Sequence, residues 1–208
     1  MMTTDEIYKI NRSKEENLFT QYFFSPIGLL EIQATENGLR TVNFIGENFF
    51  DKKISENNFE NNIEKNISEN NFEKNILQKK FENSFEENVN DTTQKVYQQL
   101  GEYFLETRKI FEVTFDLEGT PFQKTVWQTL LTIPFGKTWS YMDLAKKLGD
   151  AKKVRAVGLA NGQNKISIIV PCHRVIGSDG SLVGYAGGLS RKKFLLDLEN
   201  PNKQGELF

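Results

Sequence analysis

Two periodicities divide the chain. Residues 18–46 contain the stretch FTQYFFSPIGLLEIQATENGLRTVNFI, in which aromatic and β-branched runs are broken by Ser25-Pro26 and by Glu36-Asn37-Gly38. An Asn-Gly pair between apolar runs is a strong hairpin signal, so this region predicts a small antiparallel meander. In residues 91–107 the period lengthens. Val96, Leu100, Tyr103 and Phe104 fall on one face at helical spacing. The stretch FEVTFDL at 111–117 alternates and predicts a strand, and Gly119 marks a domain boundary.

Beyond Gly119 the signals are denser. Thr120, Pro121 and Gln123 form a capping box with proline at the first helical position. Phe122, Val126, Leu130 and Ile133 continue as one apolar face, closed by Pro134 and Gly136. A second helix starts at Ser140, turns Leu144, Ala145 and Leu148 inward and stops at Gly149. Asp150 caps a third, AKKVRAVGLAN. Two short helices joined by a tight glycine turn predict a helix-turn-helix. Lys152, Lys153 and Arg155 make the start of the third helix basic. KISIIVP at 165–171 predicts a short buried strand, and 177–189 a glycine-rich hairpin or loop turning at Asp179-Gly180. Ser190 is expected to cap a last helix, RKKFLLDLE, which Pro201 follows.

Between the two parts lies a repeat. ISENNFENNIEKN starts at Ile54 and ISENNFEKNILQK at Ile67, 13 residues apart. Its apolar residues recur every fourth or fifth position, so the stripe drifts around a helix of ~3.6 residues per turn. A low-complexity insertion at about 51–90, loosely helical or disordered, is the expectation. It also explains part of the low apolar content, 38% of 208 residues. The net charge of −2 gives no sign of a nucleic-acid binder, although acid-rich segments can mask a local basic face. One cysteine excludes an internal disulfide framework and a multi-cysteine metal site. The polar N-terminus has no apolar core of a signal peptide, and no apolar run approaches a membrane span. A cytosolic protein with a free thiol is expected.

That cysteine, Cys172, stands beside the only histidine, His173, in IIVPCHRVIG. A thiol titrates near ~8.5, and a neighbouring base or cation raises its thiolate fraction. His173 and Arg174 are both candidates. Adjacent residues in a strand point to opposite faces, so His173 can serve Cys172 only in a turn after Pro171 or through a water. A histidine base also needs an orienting group. Glu199 qualifies: a carboxylate in the last turn of a helix opposes the helix dipole and is better tolerated facing a cation such as an imidazolium. Against this, a lone cysteine after an apolar run is often a buried inert residue, and a lone histidine a filler. The basic residues of the third helix could equally be a solvated face.

From about 119 to 199, RAVG, PCHRV and GYAGGL stand in an order that resembles the alkyltransferases repairing O6-alkylguanine in DNA, the methylated-DNA–protein-cysteine methyltransferases. The resemblance implies an α/β (α+β) fold. Residues 1–118 would form a ribonuclease-H-like meander-plus-helix domain carrying the insertion. Residues 119–208 would form a helical domain with winged helix-turn-helix-like DNA binding that accepts the alkyl group. It further implies irreversible, single-turnover transfer from O6-alkylguanine, and from O4-alkylthymine, in double-stranded DNA to Cys172, by a monomer with no cofactor and no metal. His173 would take the thiol proton through a water, oriented by Glu199. Asn164 would tie the active-site strand to the DNA-binding helices. Arg155 would enter the duplex, Tyr141 crowd the target phosphate and donate a proton, and Ser178 touch the DNA backbone. Tyr185 would wall the base pocket, with backbone groups near Val175 and Ala186 reading the guanine edge. Ala186 supplies no hydroxyl where some relatives have serine. Two other readings of the same residues are a helix-turn-helix regulator with an incidental cysteine, and a thiol hydrolase.

Overall fold

The computed structural model describes residues 17–46 and 86–200. The repeat from Ile54, up to residue 85, lies outside the described residues, as do the N-terminal residues 1–16. The meander forms as its pattern predicts: β1 (Phe19–Ser25), β2 (Gly28–Thr35) and β3 (Gly38–Phe44) pair antiparallel in sequence order. A fourth strand, β4 (Glu86–Asn88), pairs with the free edge of β1, giving the order β3-β2-β1-β4. The end of the segment assigned to the insertion therefore belongs to the sheet. Gly38 is required where it stands. Its φ is +140°, and a Cβ there would lie 2.5 Å from the Thr114 carbonyl oxygen.

Helix α1 (Asp91–Phe104) starts at a reciprocal cap, in which Asn90 accepts from the Thr93 amide and the Thr93 hydroxyl accepts from the Asn90 amide. Its Val96, Leu100 and Tyr103 are buried, and the helix packs on the sheet. The strand expected at 111–117 is a single bridge. The Leu39 amide donates to the Thr114 carbonyl at 2.8 Å and the Asp116 amide to the Leu39 carbonyl at 2.9 Å. Phe111, Val113, Phe115 and Leu117 do point to the core, so the alternation was real. It reports one buried side, not a ladder.

The capping box at Thr120 opens α2 (Pro121–Leu130). A short β5 (Trp139–Ser140) leads into α3 (Tyr141–Lys147), capped by Ser140 with Asp143. Asp150 caps one 3-10 turn, Ala151–Lys153, from which α4 (Val154–Gly162) continues. Helices α2 and α3 both pack on α4. After a second 3-10 turn, β6 (Val175–Ile176) pairs parallel with β5, and α5 (Leu189–Leu198) is the last helix among the described residues. Ser190 does not cap α5. Gly188 holds that position with φ 90° and makes no side-chain cap.

The apolar run at 165–171 is not a strand. Ile166 makes one parallel bridge to Val42, with the Val42 amide donating to the Lys165 carbonyl and the Ser167 amide to the Val42 carbonyl. The chain then coils: the Ile169 amide donates to the Ser167 carbonyl and the Val170 amide to the Ile166 carbonyl. Ile168 sits at φ 71°. Ile166, Ile168, Ile169 and Val170 are all buried. A segment covered on every side is apolar whatever its backbone does, which is why its pattern predicts a strand that does not form. One contiguous core joins Ile32 and Val42 of the sheet to Tyr103, Leu130, Leu144, Val157, Val170 and Leu195. No described helix is long and apolar enough to cross a membrane.

Candidate active site

Pro171 breaks the coiled segment, and the 3-10 turn Cys172–Arg174 follows it. In a 3-10 turn successive side chains are separated by about a third of a revolution. Cys172 and His173 therefore need not oppose each other as they would in a strand, and the turn expected after Pro171 is present. Cys172 is 6% exposed and is held from behind by Asn164, just beyond the C-terminus of α4. The Asn164 amide Nδ2 donates to Cys172 Sγ at 3.1 Å, to the Val170 carbonyl at 2.8 Å and to the Ile166 carbonyl at 3.2 Å. Its Oδ1 accepts from the Ile166 amide at 3.0 Å. Asn164 thus fastens the coiled segment to the end of α4 and aims a donor at the sulfur.

His173 is fully buried, and its Nε2 lies 2.9 Å from Glu199 Oε1. Glu199 is also fully engaged. Arg174 Nε donates to Oε2 at 2.8 Å and Nη2 to Oε1 at 3.0 Å, the Tyr103 hydroxyl donates to Oε1 at 2.7 Å, and the Gly136 amide reaches Oε2 at 3.4 Å. Burial alone would raise the Glu199 carboxyl. The hydrogen bonds and charges of His173 and Arg174 outweigh it and hold the pKa down at about 2. Burial lowers the His173 pKa below its ordinary value, against the pull of Glu199. The ring is therefore neutral near pH 7, donates Nε2–H to an ionised Glu199, and carries its lone pair on Nδ1. Nδ1 is buried and has no protein partner among the described residues.

The sulfur has one cationic neighbour that the sequence did not disclose. Lys192 of α5 is fully buried, and its Nζ donates to the Val175 carbonyl at 2.5 Å, the Val183 carbonyl at 2.7 Å and the Gly184 carbonyl at 3.4 Å. Burial pulls its pKa down to about 8, with the Cys172 charge acting the other way. Burial likewise pushes the Cys172 thiol up, while the Asn164 hydrogen bond and the Lys192 charge pull it down. The resting group is a thiol, with a neutral base and a donor set around it.

A family model described as 6-O-methylguanine DNA methyltransferase, DNA binding domain, matches residues 121–201. A methylated-DNA–protein-cysteine methyltransferase of Methanosarcina acetivorans is 41% identical over 184 residues, 88% of this chain and 98% of that protein. This chain belongs to the methylated-DNA–protein-cysteine methyltransferase family. A relative from Mycobacterium bovis is 53% identical over 109 residues, 52% of this chain and 66% of that protein. The chain thus spans just under two thirds of that relative's length. Its structure is similar to that of the O6-methylguanine methyltransferase of Mycobacterium tuberculosis, with a TM-score of 0.66 and 34% identity over 91% of this chain and 97% of that one. A structure of Mycobacterium tuberculosis OGT in complex with DNA has a TM-score of 0.61 and 36% identity, covering 86% of this chain and 90% of that one.

In this methyltransferase-family chain the predicted residues fall into two groups. Cys172, His173, Asn164 and Glu199 form one buried cluster. Tyr141 and Tyr185 border it: desolvation raises both phenols, and the nearby Cys172 charge raises them further. The half-buried Tyr141 hydroxyl lies 3.2 and 3.3 Å from the Val183 and Gly184 carbonyls. Val175 is buried in β6, its carbonyl held by Lys192. Arg155, Ser178 and Ala186 are exposed, and no hydrogen bond joins them to the cluster. The expectation of an imidazolium facing Glu199 is corrected: the compensating cation is Arg174. Arg174 in turn is committed to Glu199 and to the Ile133 carbonyl at 2.7 Å, not to the thiol. Two further residues of the site, Tyr103 and Lys192, lie outside the sequence motifs. Lys192 had a signal, because Lys192, Leu195 and Glu199 share one helix face at i, i+3 and i+7. Tyr103 showed only its apolar spacing; the destination of its hydroxyl has no trace in the sequence.

Proposed function

We propose that this protein repairs DNA by moving an alkyl group from O6 of guanine, and less readily from O4 of thymine, onto Cys172 Sγ, once per molecule. The proton of Cys172 passes through a water to His173 Nδ1, and Glu199 accepts from Nε2–H and stabilises the imidazolium that results. Sγ attacks the alkyl carbon; the S–C bond forms as the C–O6 bond breaks, and the electron pair returns to guanine, which Tyr141 protonates. The thioether is stable, and no step regenerates the thiol. The observation that carries this reading is the buried relay itself. A sulfur accepts a hydrogen bond from Asn164, while the neighbouring histidine has one nitrogen bonded to an ionised carboxylate and the other buried and unpartnered.

The target oxygen lies inside a duplex, so the nucleotide must be rotated out at a cost of a few kcal/mol. In this reading α3 and α4 are the helix-turn-helix of a winged DNA-binding domain at 119–208. Residues 1–118 form a ribonuclease-H-like domain. The exposed Arg155 fills the space left by the base, Tyr141 crowds the phosphate and Ser178 meets the DNA backbone. Tyr185 forms one wall of the pocket, and backbone groups at Val175 and Ala186 read the guanine edge. Intact mass spectrometry after incubation with duplex DNA containing O6-methylguanine tests the proposal. The protein should gain one methyl group, and Cys172→Ser should gain none. An unchanged mass with Cys172 still titratable would overturn it. Repeated ester or peptide hydrolysis without an adduct would favour the thiol hydrolase.

A further inference from the structure

Beside the buried Lys192, α5 carries Arg191, whose guanidinium runs the opposite way, towards the N-terminal sheet. Its Nε donates to the carbonyl of Ile27, in the turn between β1 and β2, at 2.7 Å. Its Nη1 donates to the Gly187 carbonyl at 2.9 Å. Its Cζ lies 4.5 Å from the centroid of the Phe44 ring at the end of β3. Phe44 and Tyr185 close on Gly187 from two sides. A Cβ at Gly187 would come within 2.7 Å of Tyr185 Cε1 and 3.0 Å of Phe44 Cδ2. Sheet, arginine and loop are therefore packed to contact at this point.

The loop that carries Tyr185 has two moorings. At its start, Lys192 and Tyr141 reach the Val183 and Gly184 carbonyls. At its end, Arg191 takes the Gly187 carbonyl and ties it to the sheet. Between the moorings the loop has no strand pairing. Its internal bond is the Gly188 amide to the Tyr185 carbonyl at 3.0 Å. The Tyr185 ring packs against the core, and the two moorings fix the backbone that carries it. On the functional reading above, we propose that Arg191 is a positioning residue for substrate. It fixes the Tyr185 wall of the base pocket against the N-terminal sheet, and so sets affinity for the alkylated guanine without acting on the sulfur. The sheet then supports the base pocket mechanically through this side chain, beside the Phe44 ring that packs on Gly187.

Two reactions of the full-length chain separate these roles. Alkylation by free O6-benzylguanine needs the pocket wall, whereas alkylation by iodoacetamide needs only an accessible sulfur. Both are read as adduct mass against time for wild type, Arg191→Met and Arg191→Lys. Arg191→Met keeps the length and loses the donors and the charge. It should lower the O6-benzylguanine rate at sub-saturating concentration by about tenfold, the effect of losing one charged hydrogen bond. Its iodoacetamide rate should be unchanged. Arg191→Lys, which keeps a cation over Phe44 and one donor, should recover part of the loss, and it decides the matter if the methionine variant does not fold. An unchanged O6-benzylguanine rate, or equal losses with both reagents, would overturn the proposal. Wild type that reacts with iodoacetamide but takes nothing from either O6-benzylguanine or methylated duplex would instead remove the functional reading on which it rests.

Discussion

At the scale of residues, Glu199 decides most of the site's chemistry. It accepts from a tyrosine, an arginine fork and a histidine, all of them buried. Removing its charge leaves Arg174 buried without a counter-ion. Glu199→Gln should therefore cost about 3–5 kcal/mol in urea unfolding, the usual loss when one partner of a buried ion pair is removed. A variant as stable as wild type would mean that the pair is not what holds this corner. The depressed pKa values of His173 and Glu199 also make stability sensitive to acid. The unfolded chain protonates histidine at its ordinary value of 6.5 while the folded site keeps it neutral, so stability falls as pH drops below that value. A second loss follows as pH falls from the ordinary carboxyl value of 4.5 towards about 2, where folded Glu199 finally protonates. Both shifts have the same sign. Urea midpoints at about pH 7.5, 6 and 5 should decrease in that order, and Glu199→Gln should remove the further loss between pH 4.5 and about 2 while leaving the histidine-driven decrease above it.

At the scale of elements, α4 and α5 do different work. Helix α5 delivers Lys192, Leu195 and Glu199 along one buried face, so its rotation sets both the cation near the sulfur and the carboxylate behind the base. Just beyond the end of helix α4, Asn164 grips Cys172, while the first turn of α4 exposes Arg155 to solvent. One short helix thus links the surface proposed to meet DNA with the donor on the sulfur. Because Arg155 is exposed, Arg155→Ala should leave the fold and the thiol unaffected. It should slow transfer from O6-methylguanine in duplex by about tenfold or more, the loss expected of a side chain that offsets unstacking. Transfer from free O6-benzylguanine should keep its rate, since that substrate needs no extrusion. Equal losses on the two substrates would argue against the assigned role. The cap at Thr120, by contrast, serves stability alone: Thr120→Ala should cost about 1 kcal/mol in thermal or urea unfolding with transfer unchanged.

At the scale of the whole molecule, the core is continuous from the meander to α5, and Val42 touches the segment that leads to Cys172. The sheet is part of the scaffold of the site. The repeat enters after β3 and rejoins the sheet at β4, so the boundary that matters for deletion is residue 85, not 90. Replacing residues 51–84 by a flexible linker of about ten residues should leave adduct formation with methylated duplex within a few-fold of wild type. Removing Glu86–Asn88 as well strips the edge strand from β1 and should lower the melting temperature further. A linker variant that folds and yet takes no adduct would give the repeat a part in the reaction.

Local signals along the chain determined the meander, the capped helices α1 to α3 and the position of Cys172 beside His173. Each depends on near neighbours: a turn pair, a capping residue, an apolar residue every third or fourth position. The motifs also determined the family. The backbone of 165–171 was decided only by tertiary structure, because a segment buried on all sides carries no periodic mark. The same holds for the partners of the buried charges. Arg174 lies next to the cysteine in sequence yet serves Glu199, Tyr103 crosses 96 residues to the same carboxylate, and Lys192 finds three carbonyls. Which anion a buried cation meets is fixed by the packing of distant elements and by the cost of leaving it alone, and neither is written in local spacing.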